Sequence, residues 1–408
     1  MSNLFAPKTR MVLDPVGLYY ASIISETQPG NFSVSAYLHE KIEPQILQNA
    51  VNDLIRRLPF LSGRLHSGFF QYFHEILETP PQIVKADTVE LFGEYYNEGD
   101  GHVLRVLYGE RHFTVEGIHS IVDGCGLSKV VCAILVRYFE LLGVSVSRSN
   151  IVNCADNVTA NEAKEEAEDA YHRYANAKKF PATKTENLNA YHHEGIKKIP
   201  ARIISKTFEL GEIKSAAKSQ GATISEYLLA HVFMELAEER NAHGTESSIT
   251  SMLPIDCRSF FPSKTFRSFV CNRTITMPET TDFSEMLKGI HSQFSDITAD
   301  FVQKSINEVH NMRNKSKFVP LALKKKLIDR MGVLEESKLT TTFSNLGLIQ
   351  LPSELRERVK NLEFAISTPE YMPYSFSCIA VGEALTLTVT SCAQSNDVPT
   401  GTFERVVQ

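Results

Sequence analysis

The sequence predicts an α/β protein, more closely an α+β sandwich, arranged as two similar lobes of roughly 200 residues each. Three observations predict it. The chain has 408 residues, more than one ordinary domain needs. Strand-like and helix-like runs are mixed within both halves. A polar stretch from about residue 145 to 200, poor in large apolar side chains, separates the halves. We place a first lobe at 1–180, a linker at 181–200 and a second lobe at 201–408.

In order, residues 1–30 carry only scattered apolar residues and end at Pro29-Gly30. Phe32, Val34, Ala36 and Leu38 then alternate, the pattern of a half-buried strand. Pro44 opens a helix where its missing N–H costs nothing. Leu47, Ala50, Val51, Leu54, Ile55 and Leu58 give that helix one apolar stripe, and Pro59 ends it. A corner, Pro59-Phe60-Leu61-Ser62-Gly63-Arg64, leads into a short strand, and two more short strands flank Pro80-Pro81. Residues 103–108 and 113–118 read as strands joined by Gly109-Glu110-Arg111. Leu127, Val130, Val131, Ile134, Leu135, Tyr138 and Phe139 mark a following helix that packs on the sheet. From Asn161 to Lys179 the residues are rich in Glu, Ala and Lys, and a solvated helix is expected.

The second half opens with a strand at 202–210 and a helix that ends at Gly221. Thr223-Ile224-Ser225-Glu226 fits a capping box, so the next helix start is well marked. Strands follow at 248–253 and around 269–277, then helices over about 282–313 and 320–332. Strands at 339–345, 361–367, 375–382 and 385–391 and a helical start at 402–407 close the chain.

Composition excludes several function classes. Hydrophobic residues make up 43% and charged residues 22%, as in soluble globular proteins. No apolar run reaches the ~18 residues of a membrane span, and Met1 to Lys8 has no signal-peptide core. The seven cysteines are scattered without a Cys-x-x-Cys pair, so reduced thiols and a cytoplasmic location are expected, with no metal site. A net charge of −6 argues against a nucleic-acid partner. No Gly-x-Gly-x-x-Gly or Walker pattern is present.

The stretch with chemical content is Gly117-Ile118-His119-Ser120-Ile121-Val122-Asp123-Gly124-Cys125-Gly126. His119 stands where a buried strand gives way to a tight turn ahead of a helix, a firm mount for a general base. An unperturbed imidazole titrates near pH 6.5, which leaves a useful neutral fraction at pH 7.

His119-x-x-x-Asp123-Gly124 in that setting resembles the superfamily of chloramphenicol acetyltransferase, peptide-synthetase condensation domains and alcohol acetyltransferases. The strand–helix–corner opening and the Thr223-capped helix are similar to that superfamily too. The resemblance implies two chloramphenicol-acetyltransferase-like lobes in a V with a central tunnel. It assigns His119, Asp123 and Gly124 to the catalytic motif. His119 would deprotonate the acceptor. Asp123 would pair, by a buried bidentate contact, with Arg258 of Pro254-Ile255-Asp256-Cys257-Arg258 and hold the loop. Gly124 would shape the turn, and a larger residue there would obstruct the channel. Ile118 replaces a first histidine found in many condensation domains, which points towards the alcohol acetyltransferases. Thr340-Thr341-Thr342-Phe343-Ser344-Asn345-Leu346-Gly347 resembles a segment of the second lobe that faces the histidine. Ser344 and Asn345 are therefore the oxyanion and channel candidates. Lys324-Lys325-Lys326 is either a solvated helix face or a contact for the phosphates of coenzyme A.

The expected activity is acyl transfer from acyl-coenzyme A, a co-substrate and not a resident cofactor, to a small-molecule alcohol or amine. An acyl carrier protein as donor is the alternative, and a catalytically degenerate ligand- or partner-binding member of the fold is the third.

Overall fold

The computed structural model describes residues 10–25, 30–92, 101–147, 151–156, 159–180, 189–193, 201–244, 247–278, 280–336, 338–369 and 372–407. The first half forms β1 (Arg10–Val12), α1 (Pro15–Ile23), β2 (Asn31–Leu38), α2 (Pro44–Arg57), β3 (Gly63–Ser67), β4 (Tyr72–Ile76), β5 (Val84–Lys85), β6 (Leu104–Tyr108), β7 (His112–Ile118), α3 (Gly124–Leu141), α4 (Ala160–Glu166) and α5 (Ala170–Tyr174). The second forms β8 (Arg202–Glu209), α6 (Leu210–Ser219), α7 (Ile224–Ala242), β9 (Ile249–Asp256), β10 (Val270–Met277), α8 (Phe283–Ser295), α9 (Ala299–Lys315), α10 (Leu321–Glu336), β11 (Thr341–Ile349), β12 (Val359–Ile366), β13 (Tyr374–Val381), β14 (Ala384–Ser391) and α11 (Asp397–Arg405). The mixed α/β class is the one the sequence predicts.

Two large sheets carry the architecture. One has the order β12-β2-β7-β6-β5, the other β10-β9-β11-β13-β14-β8, and a small third sheet is β1-β4-β3. The apolar stripe of α2 and the inner face of α3 pack on β2 and β7, where Leu47, Val51, Leu54, Val131 and Ile134 join Val34 and Val115 in one core. In the second half, α7 covers one face of its sheet, and Leu229, Val232 and Phe233 share a core with Phe343, Phe376 and Leu387. The capping box is present, with Thr223 N–H donating to Glu226 at 2.7 Å and Glu226 N–H donating to Thr223 Oγ1 at 3.3 Å.

Strand β12 departs from chain order. It belongs to the second half yet pairs antiparallel with β2, Phe364 opposite Val34. The burial of β2 also differs from the expectation. Its alternation predicts one wet face, but Ser33 and Ser35 are buried along with Phe32 and Val34. The Ser35 and Thr114 hydroxyls meet at 2.8 Å. Across the gap, the second sheet turns a row of hydroxyls towards β12. Ser205 Oγ donates to Glu363 at 2.5 Å and Ser377 Oγ to the Phe364 carbonyl at 2.5 Å. Strand alternation keeps hydroxyls on one face and the apolar core on the other.

Three local expectations change. Residues 161–179 hold two short helices, α4 and α5, with a buried face, because buried Arg57 donates to Glu166 at 2.5 and 2.8 Å and Tyr171 packs against Phe269. The long helical region from 282 breaks between α8 and α9, where Thr298 caps α9. Residues 15–23 form a helix that scattered apolar residues do not announce. Its signal is Asp14-Pro15: the Asp14 carboxylate accepts from Gly17 N–H at 2.7 Å, and proline takes the first helical position. Of the expected linker, only 189–193 is described, with Ala190 bridged to Ser248. The rest lies outside the described residues.

His74 on β4 carries a pH signature. It is fully buried, its Nε2 is 3.1 Å from the Ser120 carbonyl, and burial lowers its pKa to about 4. Between pH 6.5 and 4 the unfolded chain binds a proton that the folded one refuses, so stability falls as pH falls through that window. Melting temperature against pH should show this decline, and His74→Gln should make it shallower without abolishing it, because burial lowers the His119 and His231 pKa values to about 4 as well.

Candidate active site

His119 follows the last residue of β7, so the strand fixes its backbone. Its N–H donates to the Gly30 carbonyl at 3.4 Å, and its own carbonyl accepts from Ser268 Oγ at 3.2 Å. The ring lies between two aromatics. Tyr20 of α1 stacks on it at 4.3 Å with a 16° interplanar angle, and Phe32 of β2 approaches at 4.4 Å. Nδ1 is enclosed and has no hydrogen-bond partner among the described residues, while the side chain as a whole keeps partial exposure. Burial pushes the pKa down to about 4, against an upward pull from Asp123. The ring is neutral at pH 7.

Asp123 is engaged in holding the loop. It caps α3, with Oδ1 accepting from Gly126 N–H at 2.7 Å. Oδ2 accepts from Phe269 N–H at 2.8 Å and from Arg258 Nη1 at 2.9 Å. The contact with Arg258 is a single bond where a bidentate one was expected. The reason is competition: Nη1 also donates to Asp256 at 2.8 Å, Nη2 to the Arg267 carbonyl and Nε to the Thr265 carbonyl. Burial acts to lower the Arg258 pKa, but the Asp123 and Asp256 charges outweigh it and hold the guanidinium well above its usual range. The Asp123–Arg258 bond, at sequence separation 135, ties the His119 loop to the second half of the chain.

Gly124 is not needed for a special backbone conformation, since its φ is negative and it is the first residue of α3. What it provides is proximity. A Cβ there would lie 2.8 Å from Leu346 Cδ2 and 3.3 Å from Phe364 Cζ. Gly126 is tighter, because a Cβ would meet the Phe266 carbonyl oxygen at 2.0 Å. Leu346 can rotate away; a backbone carbonyl cannot. Gly126→Ala should therefore cost more than Gly124→Ala, by about 1–3 kcal/mol for overpacking, which chemical denaturation of the two variants would show.

Leu346 brings the second segment to the motif. Strand β11 bulges between Asn345 and Leu348, with Gly347 at φ +71. Asn345 serves that bulge: its Oδ1 accepts from Gly347 N–H at 2.7 Å and its Nδ2 donates to Ser225 Oγ at 2.9 Å. By alternation Asn345 shares the α7 face with Phe343. Ser344 shares the opposite face, towards β12, and is buried in register with Ser377. Cys125, inside the motif, is no nucleophile, since burial first and the nearby Asp123 and Asp256 charges raise its thiol to about 12.

Several residues of this site carry no sequence signal: Tyr20, Ser268, and the Asp14–Arg267 pair at 3.4 Å. Arg267 also donates to the Val12 carbonyl at 2.9 Å, fastening the start of α1 beside the His119 loop. Lys324 is buried on α10 with Nζ donating to the Phe70 carbonyl at 2.6 Å, while Lys325 and Lys326 are exposed. No metal-binding group of side chains occurs among the described residues. None of their helices is long and apolar enough to cross a membrane.

Solved structures with this fold include the TRI3 trichothecene 15-O-acetyltransferase from Fusarium sporotrichioides, with TM-score 0.67 and 12% identity over 98% of this chain and 94% of that one. Polyketide synthase associated protein 5 from Mycobacterium tuberculosis has TM-score 0.60 and 12% identity over 98% of each chain. The epimerization domain from the third module of tyrocidine synthetase B has TM-score 0.60 and 12% identity over 100% of this chain and 97% of that one. At such identities the likeness is one of fold. No curated protein matches the sequence. Residues 175–406, more than half of the chain, match the alcohol acetyltransferase family, and the chain belongs to that family.

Proposed function

We propose that this acyltransferase-family chain moves an acyl group from a coenzyme A thioester to an alcohol or amine, with His119 as general base. The observation that carries the reading is the His119 ring itself. It is held neutral between Tyr20 and Phe32 at a strand end, with Nδ1 enclosed, so Nε2 is the nitrogen left to meet an acceptor.

The steps balance without a further reagent. Nε2 takes the proton of the acceptor hydroxyl as its oxygen attacks the thioester carbon. The carbonyl electrons move to oxygen, where Ser344, on the face towards β12, is the side chain we assign to stabilise the charge. Collapse re-forms the carbonyl and breaks the C–S bond, and the leaving thiolate recovers the proton from the imidazolium. Asp123 and Arg258 are positioning residues in this scheme. Proximity supplies much of the remaining acceleration.

The pH dependence follows from His119. Its neutral form dominates above pH about 4, so kcat/KM should rise with pH through that region and be flat from 6 to 8, with no inflection at 6.5. A stopped-assay profile checks this.

The decisive test is thiol release from a panel of acyl-coenzyme A thioesters with pooled alcohols and amines. Acceptor-dependent release supports the reading. Transfer only from a loaded carrier protein would replace the donor, and a ligand-induced rise in melting temperature without turnover would leave a binding protein.

A further inference from the structure

The corner between α9 and α10 exposes large apolar side chains where a solvated surface should be polar. Phe318 is 77% exposed, Met312 57%, and Leu323 and Leu327 52% each. On α10, Leu321, Lys324 and Ile328 face inward, while Leu323 and Leu327, four residues apart, share an outward face with Lys326 and Arg330. The β3–β4 hairpin tip adds Phe69, 74% exposed, and Phe70, whose ring lies 4.7 Å from Phe69 and 6.5 Å from Phe318.

The patch is braced. Leu321 N–H donates to the Phe69 carbonyl at 2.8 Å, and the buried Lys324 ammonium donates to the Phe70 carbonyl at 2.6 Å. A buried lysine thus fixes the backbone of a hairpin whose two phenylalanines point into water. Phe69, Phe70 and Phe318 form one run of neighbouring exposed rings, and exposed apolar surface of this kind marks an interaction site.

Charge selects the occupant. Residues 312–328 contain Arg313, Lys315, Lys317, Lys324, Lys325 and Lys326 and no acidic residue, in a chain whose net charge is −6. Residues 67–71 contain no acidic residue either. Lys315, Lys317, Lys325 and Lys326 are exposed around the apolar tips. Aromatic and leucine tips ringed by lysines suit the boundary between acyl chains and anionic headgroups. Beside the patch lies a cavity of about 540 Å³ lined by Arg10, Arg267, Arg313, Lys317 and Lys324, with Asp169 among them.

We propose that the α9–α10 corner and the β3–β4 tip form a peripheral docking surface for an anionic phospholipid membrane. The tips enter the interface and the lysines meet lipid phosphates. The full chain should co-sediment with phosphatidylcholine vesicles containing phosphatidylglycerol, more weakly with phosphatidylcholine alone, and less as salt is raised. Phe69→Ser with Phe318→Ser, and separately Lys317→Gln with Lys326→Gln, should each lower partitioning roughly tenfold or more. These side chains are exposed, so melting temperature should be unchanged. The proposal is overturned if the wild type stays in the supernatant with anionic vesicles, or if the variants bind as well as it does. A concentration-dependent dimer abolished by Phe69→Ser with Phe318→Ser, without vesicle binding, would assign the patch to a second copy of the chain and also overturn it.

Discussion

His119→Ala is expected to lower acyl transfer by about 10²–10⁴-fold, the usual contribution of a positioned general base. The loss should fall on kcat, since the imidazole acts on a proton in flight and not on the resting substrate. Stability should change far less than activity. No hydrogen bond holds the ring among the described residues, and its backbone bonds to Gly30 and Ser268 survive the substitution. What is lost is packing against Tyr20 and Phe32. Single-turnover rates and melting curves on the same preparation separate the two effects. A variant that turns over at the wild-type rate would remove His119 from the mechanism.

Asp123→Ala is expected to act the other way, on the fold first. It leaves the Arg258 guanidinium buried beside Asp256 alone and strips partners from the N–H groups of Gly126 and Phe269. Removing one partner of a buried pair costs about 3–5 kcal/mol. Arg258→Ala should be similarly damaging, because the same side chain also donates to three other acceptors. The double variant should cost less than the sum, and strict additivity in urea unfolding would mean the pair does not interact. Asp123→Asn, which keeps the shape, separates positioning from catalysis. It should lower kcat and, because the Asp123 charge pulls the His119 pKa up, move the acid limb of the pH profile to lower pH.

The sequence by itself determined the local frame of the site. A strand, the turn from His119 to Asp123, and a helix appear in that order because each is written in short-range terms: alternation, small residues at a turn, an apolar stripe. The Thr223 capping box was equally legible, since both of its partners lie within one turn of helix. The contacts that hold His119 in place were not legible. Tyr20 comes from 99 residues upstream and Ser268 from 149 residues downstream, and no periodicity states which distant ring or hydroxyl will arrive. The geometry of Asp123 and Arg258 was half legible: a motif indicates that two charges meet, but Asp256 decides how many bonds they share. Only the tertiary structure showed that the Asn345 amide is committed to the Gly347 bulge and to Ser225. Likewise, residues 361–367 read as a strand from their pattern, while the place of β12 beside β2 depended on which sheet edge offered unpaired backbone groups and a matching apolar face. Alternation determines which side chains share a face of a strand; the partner across the ladder is settled by long-range packing.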